Sequence, residues 1–473
     1  MIFESRLCRV VPLMTAFLLN CVSCAAQPAP TASPAPAGFD NQTNGFEPQA
    51  AFDDDLKNFE SVESVKDGLG PVYNSTSCVS CHQNPVTGGP SQVAVLRAGH
   101  YDRLKRQFVE PPGGSLIFQR AIDASIQAGV SPGNEIRTLR MATNVLGNGF
   151  IECIADDDIR KVQLAQPKGM RGAIVLVPVA VAPAAGGGFT FGERVGRFGW
   201  KCQDASLLNF SAGAYINEMG ITSPLQPKEN SSVGRDVTPF DTVADPEDQA
   251  AADHPFGKDV EAFTRFMRST KAPPTDPKPL DPAAVERGKA LFMNNERTGC
   301  AICHVPDWTT MAAGTTVADF SVPDALGNKV IRPFTDLMLH DVNTGDGIVQ
   351  TQHAQRPPRG CENTKYAKIE EGPNVHRALN DMFQYHEDDA AKGDNRSKRR
   401  VFKSSLVSTA HMIRTAPLWG LRTRPQLMHD GLSLTVDEAI RRHGNQAHES
   451  KHNYVYDLTE AERNDLLIFL GSL

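Results

Sequence analysis

Apolar positions along this chain of 473 residues recur mostly at helical spacing, in segments cut short by proline and glycine. Val260, Phe263, Phe266 and Met267 form one amphipathic stripe. Ala283 to Phe292 reads as a second helix. Thr459-x-x-Glu462 is a capping box that opens a last helix through Leu466, Leu467, Phe469 and Leu470. The segment Thr435 to Gly444 is capped at its start and stopped by glycine, with Val436, Ala439, Ile440 and His443 on one apolar face. A different pattern runs from Gly172 to Val181, rich in branched residues and ended by Pro183 and Gly186 to Gly188, which predicts a β-hairpin. The proline-rich stretch Lys271 to Pro279 cannot continue the helix before it and marks a domain boundary. Residues 49–270 and 282–473 are then two domains joined by a linker at 271–281. Asp341 to Lys403 has few periodic apolar positions and reads as a long surface excursion. The expected class is mainly α, with long loops and a few short β-hairpins.

The ends of the chain add a location. Met1 to Cys24 joins Arg6 and Arg9 to an apolar stretch, Val10 to Leu19, that is too short for a permanent membrane anchor, so residues 1–26 read as an export signal. Two endings stay open: cleavage after Cys24-Ala25-Ala26, or lipid attachment at Cys24. Residues 27–48, with Pro28, Pro30, Pro34 and Pro36 among Ala and Ser, read as a semi-rigid tether suited to either. The expected location is periplasmic or otherwise outside the cytoplasm, as a soluble protein or a membrane-tethered lipoprotein. The net charge of -7, with no basic run beyond the cluster Arg396, Lys398, Arg399 and Arg400, gives no nucleic-acid partner, and a membrane enters only through a lipid anchor.

The chemistry is carried by two C-x-x-C-H motifs, Cys78 to His82 and Cys300 to His304. Two thiols three positions apart can each form a thioether to one porphyrin, and the next histidine then lies beneath the iron. With 10 Cys and 13 His in the chain, chance would supply only ~0.006 such motifs. A zinc site would need further Cys or His at matched spacing, and a redox dithiol would need no following histidine. The expected cofactors are therefore two covalently bound c-type haems, one in each of two cytochrome c-like domains, and covalent attachment of that kind fits an exported chain. Beyond the signal and the motifs, Cys153, Cys202 and Cys361 remain. An oxidising compartment favours a disulfide between Cys153 and Cys202, leaving Cys361 free.

A second axial ligand decides whether a haem carries electrons or binds an oxidant. His443 is the best candidate from the pattern alone, because it shares the apolar face of its helix. The alternative is a buried histidine satisfied by a backbone carbonyl at the helix C-terminus.

Longer strings carry a resemblance: Gly70 to Ser77, Gly147 to Glu152, Gly196 to Lys201, Met219 to Pro224, Thr335 to Asp341, Arg414 to Leu421, and His429-Asp430-Gly431. Through them the chain resembles the dihaem cytochrome c peroxidase superfamily, and most closely its dihaem oxidoreductase branch, also called thiol oxidoreductases. The resemblance covers nearly all of the mature chain. In that superfamily the turn matching His429-Asp430-Gly431 is followed one helix later by the distal ligand of the C-terminal haem, usually methionine. The same interval here reaches His443. The resemblance thus implies a bis-histidine second haem, His304 and His443, with His82 beneath the first. Imidazole in place of a thioether lowers the haem potential, which is a departure from the family's high-potential electron store. For the first haem His100, Met219 or an open position remain. Trp200 matches the tryptophan placed between the haems, and Glu218 falls near a distal carboxylate able to move peroxide protons. Arg414, Arg422 and Arg424 are candidate partners of haem propionates, and His429 of its own turn or a propionate; His340 and His411 are not expected to bind iron. His353, His376, His386, His448 and His452 sit in polar stretches, as surface residues.

The function implied is a peroxidase-like oxidoreductase passing electrons from the C-terminal haem, by way of Trp200, to hydrogen peroxide or another small oxidant at the N-terminal haem. A small electron-donor protein or a quinol-linked donor would supply them. A non-catalytic electron-transfer cytochrome, with both irons six-coordinate, is the alternative. An oxidase of thiols finds no motif of its own, since Cys153 and Cys202 are not spaced as a redox dithiol.

Overall fold

The computed structural model describes residues 31–104, 107–184, 188–247, 253–349 and 409–473. The expected export signal, Cys361, His353, His376, His386, the basic cluster and most of the excursion after Asp341 lie outside them.

Ten α-helices alternate with short strands among the described residues. In the first half, the helices Gln49–Glu60, Leu207–Ala214 and Lys258–Ser269 pack around an aromatic cluster. Phe59 and Phe266 lie 4.5 Å apart between ring centres, Phe52 and Phe266 5.5 Å. The stripe read from Val260, Phe263, Phe266 and Met267 is the buried face of the third helix. Beside it the strand Ala94–Asp102 pairs antiparallel with Ile136–Met141. The expected hairpin forms from Leu176–Ala184 and Gly188–Val195.

In the second half, the helix Pro282–Met293, capped by Asp281, packs on the last helix Glu460–Leu470, which Thr459 and Glu462 cap reciprocally. Gly288 makes their close approach possible: a Cβ there would fall 2.0 Å from the Asp465 carbonyl oxygen. Gly299, at φ +68°, turns the chain into the short helix Cys300–Cys303.

The main core draws on both sides of the proline-rich segment, from Phe52 and Phe150 to Trp308, Leu337 and Trp419. Arg268 ties them with charge, donating from a buried position to the buried Glu152 and to the half-buried Asp319. Residues Ala32–Leu473 form one unit. Two expectations change here. From residue 33 the Pro/Ala-rich stretch is held by backbone pairing, Ser33–Pro34 running parallel to Lys329–Val330 and Gly38 donating to the Ala272 carbonyl, because an edge strand tolerates proline. Cys153 and Cys202 are both free and separately buried, the Cys202 thiol 3.3 Å from the Leu337 carbonyl. They form no disulfide.

Candidate functional site

Around the first motif the chain makes one tight turn, with His82 N–H donating to the Cys78 carbonyl at 3.1 Å. Ser77 and Ser80 join their hydroxyls at 2.6 Å at its start. Burial pushes the His82 imidazole down to about 4, which keeps the ring neutral near pH 7. Burial also pushes the Cys81 thiol up to about 11 and that of Cys78 upward. Such thiols are poor thiolate nucleophiles.

These residues line a cavity of about 500 Å³. The π-turn Tyr215–Met219 at the end of the helix Leu207–Ala214 lines the same cavity with Tyr215, Glu218 and Met219. Glu218 accepts from Asn74 Nδ2 at 2.9 Å. Burial outweighs that bond and the Arg97 charge and raises its carboxyl above the usual value. Tyr215 donates to Asp259 at 3.3 Å.

At the second motif the same turn recurs, His304 N–H donating to the Cys300 carbonyl at 3.0 Å. His304 Nδ1 faces the Phe334 carbonyl at 3.2 Å, and His443 Nδ1 faces the Ala439 carbonyl at 2.8 Å. Each ring therefore keeps Nε2 for another partner. The two ring centres lie 6.4 Å apart, with the planes tilted by 54°. Two metal-nitrogen bonds of ~2 Å and two ring radii of ~1.1 Å sum to ~6.3 Å, so the spacing suits one iron between them. Burial, then the neighbouring His443, pushes His304 down to about 4. His443 caps the helix Val436–Arg442, whose Thr435 and Glu438 form a capping box, and its apolar face lines the cavity.

This second cavity holds about 1760 Å³. Arg414 and Arg424 both line it. Arg414 donates to the Gly199 carbonyl at 2.7 Å and Arg424 to that of Trp419 at 2.9 Å, and Arg424 Nε has no partner. Neither makes an ion pair among the described residues. Burial, then Arg414, lowers Arg424 to about 10. Buried cations without carboxylates call for an anionic group, and a haem brings two propionates. The donor set fits a haem at each motif.

The remaining sequence candidates divide. Trp200 borders the second cavity, donating to the Met141 carbonyl at 2.8 Å, with its ring edge-on to His429 at 6.1 Å. The run Met141 to Val145 links the two, since Met141 to Asn144 line the second cavity and Val145 the first. His100 is a correction: it lies on the exposed side of its strand, 2.7 Å from Glu135, and does not line the first cavity. Arg422 is another, donating to the Pro274 carbonyl at 2.6 Å outside the second cavity. His448 and His452 are exposed, as expected; so is His411.

Several groups escaped sequence reasoning. Tyr215 joins Glu218 and Met219 only because the helix ends in a π-turn. Asp346, inside the expected surface excursion, is fully buried between Arg140 and Lys201, at 2.8 and 2.9 Å. His340 lines the second cavity and lies 2.7 Å from Asp336 and 3.7 Å from the Cys303 sulphur. Burial opposes charge on His340, but Asp336 outweighs it and holds the imidazole well above its usual range.

Among the described residues no helix is long and apolar enough to cross a membrane. No curated protein matches the chain. Among solved structures, hydrazine synthase of Kuenenia stuttgartiensis is 14% identical at a TM-score of 0.35, covering 97% of this chain and 100% of its own. The diheme peroxidase BthA of Burkholderia thailandensis is 14% identical at 0.35, over 94% and 95%. A MauG-like protein associated with microbial copper homeostasis is 16% identical at 0.35, over 94% of both chains. Likeness at this level assigns neither fold nor activity. The family comparison is more direct, and its match takes in Trp200, Glu218 and the second C-x-x-C-H motif: residues 125–355 match the family described as "Di-haem oxidoreductase, putative peroxidase".

Proposed function

We propose that this chain is an exported di-haem c-type oxidoreductase of peroxidase type, in which electrons from the C-terminal haem site serve hydrogen peroxide or a similar small oxidant at the N-terminal site. Cys78 and Cys81 hold one haem covalently and Cys300 and Cys303 the other, with His82 and His304 as the proximal ligands. The observation that carries this reading is the unequal lining of the two cavities. Across from His304 stands an imidazole, His443. The cavity that His82 lines also holds Glu218, Tyr215 and Met219.

Bound haem supplies one-electron chemistry and, at an iron with a free position, a site for peroxide oxygen. The chain's own residues do the rest. His304 and His443 close both faces of the second site, which keeps oxidants out and leaves it a carrier. Glu218, oriented by Asn74, takes and returns a proton in the first cavity. Burial favours its neutral form and raises the carboxyl above its usual value. Trp200 and the run Met141 to Val145 supply packed protein between the sites. Export, by a cleaved signal or a lipid at Cys24, supplies the compartment for covalent attachment; a small cytochrome or a quinol-linked protein is the donor, and residues 49–270 and 282–473 each contribute one haem.

The test is optical and EPR spectroscopy of the holoprotein during peroxide titration, repeated with Glu218→Gln. One low-spin bis-imidazole haem beside one that responds to peroxide is expected. Two low-spin haems inert to peroxide in every redox state would sink the enzyme reading. Met219 favours that second reading, an electron-transfer cytochrome, because it is buried and lines the same cavity as His82. Met219→Leu would then convert the first haem to high spin.

A further inference from the structure

The bis-histidine ligation just proposed leaves a physical problem, because two imidazoles keep a haem potential low while the site must pass electrons to an oxidant. The group formed by Cys303, Asp336 and His340 bears on it. Their ligand atoms lie within 4.8 Å of one another. With Cys303 committed to a thioether its sulphur is no thiolate, so the group is not a cation site. Its other geometric meaning is a hydrogen bond aimed at the haem's anchoring sulphur.

We propose that His340, held by Asp336, is a positioning residue that donates a hydrogen bond to the Cys303 sulphur and raises the reduction potential of the second haem. The inference rests on the bis-histidine reading of that site. His340 is 2% exposed and Asp336 0%. Asp336 is itself locked, accepting from Gln166 Nε2 at 2.7 Å and from Met338 N–H at 3.0 Å. One side of the His340 ring then donates from Nε2 to Asp336 at 2.7 Å. The other side presents Nδ1 to Cys303 Sγ at 3.7 Å. A ring that donates from both nitrogens is an imidazolium. Gly172 backs the ring: a Cβ there would fall 2.6 Å from His340 Nε2. A donor proton and a positive charge beside the sulphur disfavour the ferric state, which carries one more positive charge than the ferrous. Arg414 and Arg424 on the same cavity act in the same sense.

The experiment is a potentiometric titration of the holoprotein, followed by EPR and by the optical bands, on wild type, His340→Gln and Gly172→Ala. Gly172→Ala changes no charge and pushes the ring aside. The midpoint of the second haem is expected to fall in His340→Gln and to fall less in Gly172→Ala, with the first haem unmoved and the bis-imidazole EPR signal retained. An unchanged second midpoint in both variants overturns the proposal. If His340→Gln takes up no second haem, Gly172→Ala decides alone, and an unchanged midpoint there overturns it. A wild-type EPR spectrum lacking the bis-imidazole signal removes the ligand reading itself, and the proposal with it, which separates the two failures.

Discussion

The two cavities start from the same five-residue motif and end as different chemical environments. In each, a single turn presents a histidine to a buried space beside two cysteines. The second is the larger, about 1760 Å³ against about 500 Å³. Its walls hold the His443 imidazole beside His304, a buried Arg414 and a half-buried Arg424, neither with a carboxylate partner among the described residues, which suits an anionic cofactor. The first has no arginine in its wall; it has a carboxyl, a phenol and a thioether instead. The lesson is that one shared motif can sit in two different linings, so on the reading proposed above the motif would set where a haem attaches and the lining what that haem can do. That lining is contributed by segments far away in sequence, Tyr215–Met219 in one case and Val436–His443 in the other.

Five substitutions would break or sharpen this contrast. Glu218→Gln has the largest expected effect, a loss of ~10²- to 10⁴-fold in peroxide turnover, read by steady-state kinetics, with the second haem's spectrum unchanged. Its pH dependence has a definite sign. Burial raises the carboxyl above the usual 4.5, so the folded state holds the proton to higher pH than the unfolded chain does. This group's contribution to stability therefore declines as pH rises from 4.5 through the folded value, and the variant should lose that decline.

Asp346→Asn strips the carboxylate from between Arg140 and Lys201 and should cost about 3–5 kcal/mol of stability in a denaturant titration, because it strands buried cations. Burial alone would raise Asp346, but Arg140 and Lys201 hold it below the usual 3.8. Its contribution is full above 3.8 and is lost as pH falls through the lower folded value. Stability of the wild type should therefore fall more steeply than that of Asp346→Asn below pH 3.8.

His443→Met should replace the bis-imidazole EPR signal and raise the second haem's potential, while peroxide binding at the first site is retained. If the spectrum does not change, His443 is not the ligand and the contrast fails. The smallest effect separates two arginines that the sequence could not rank. Arg424→Met should alter second-haem retention, measured as haem per chain, whereas Arg422→Met should leave it intact and cost about 1 kcal/mol for its bond to a carbonyl.

Much of the second site was legible in advance. The helix Val436–Arg442, its capping box and the inward face ending at His443 are written in consecutive residues, since capping and periodicity are local effects. The same holds for the last helix and for the hairpin. The first site was less legible. Glu218 reads as a surface carboxylate by type, and only the π-turn swings it inward with Tyr215 and Met219. His100 looked available because it is a histidine near the motif, but strand alternation places it outward. Arg414 and Arg422 stand close in sequence and part company because one lies on a cavity strand and the other in a turn against Pro274.

By itself, then, the sequence determined the two C-x-x-C-H motifs, the helices and hairpin that carry their surroundings, and the match of residues 125–355 to a di-haem oxidoreductase family. Those features depend on spacing of a few residues and on the conformational preferences of single side chains. Only the tertiary structure decided which buried group faces which histidine, that Cys153 and Cys202 stay apart, and that His340 reaches Cys303. Such contacts join residues tens to hundreds of positions apart, and their geometry is set by how long connections fold over one core, which no local pattern encodes.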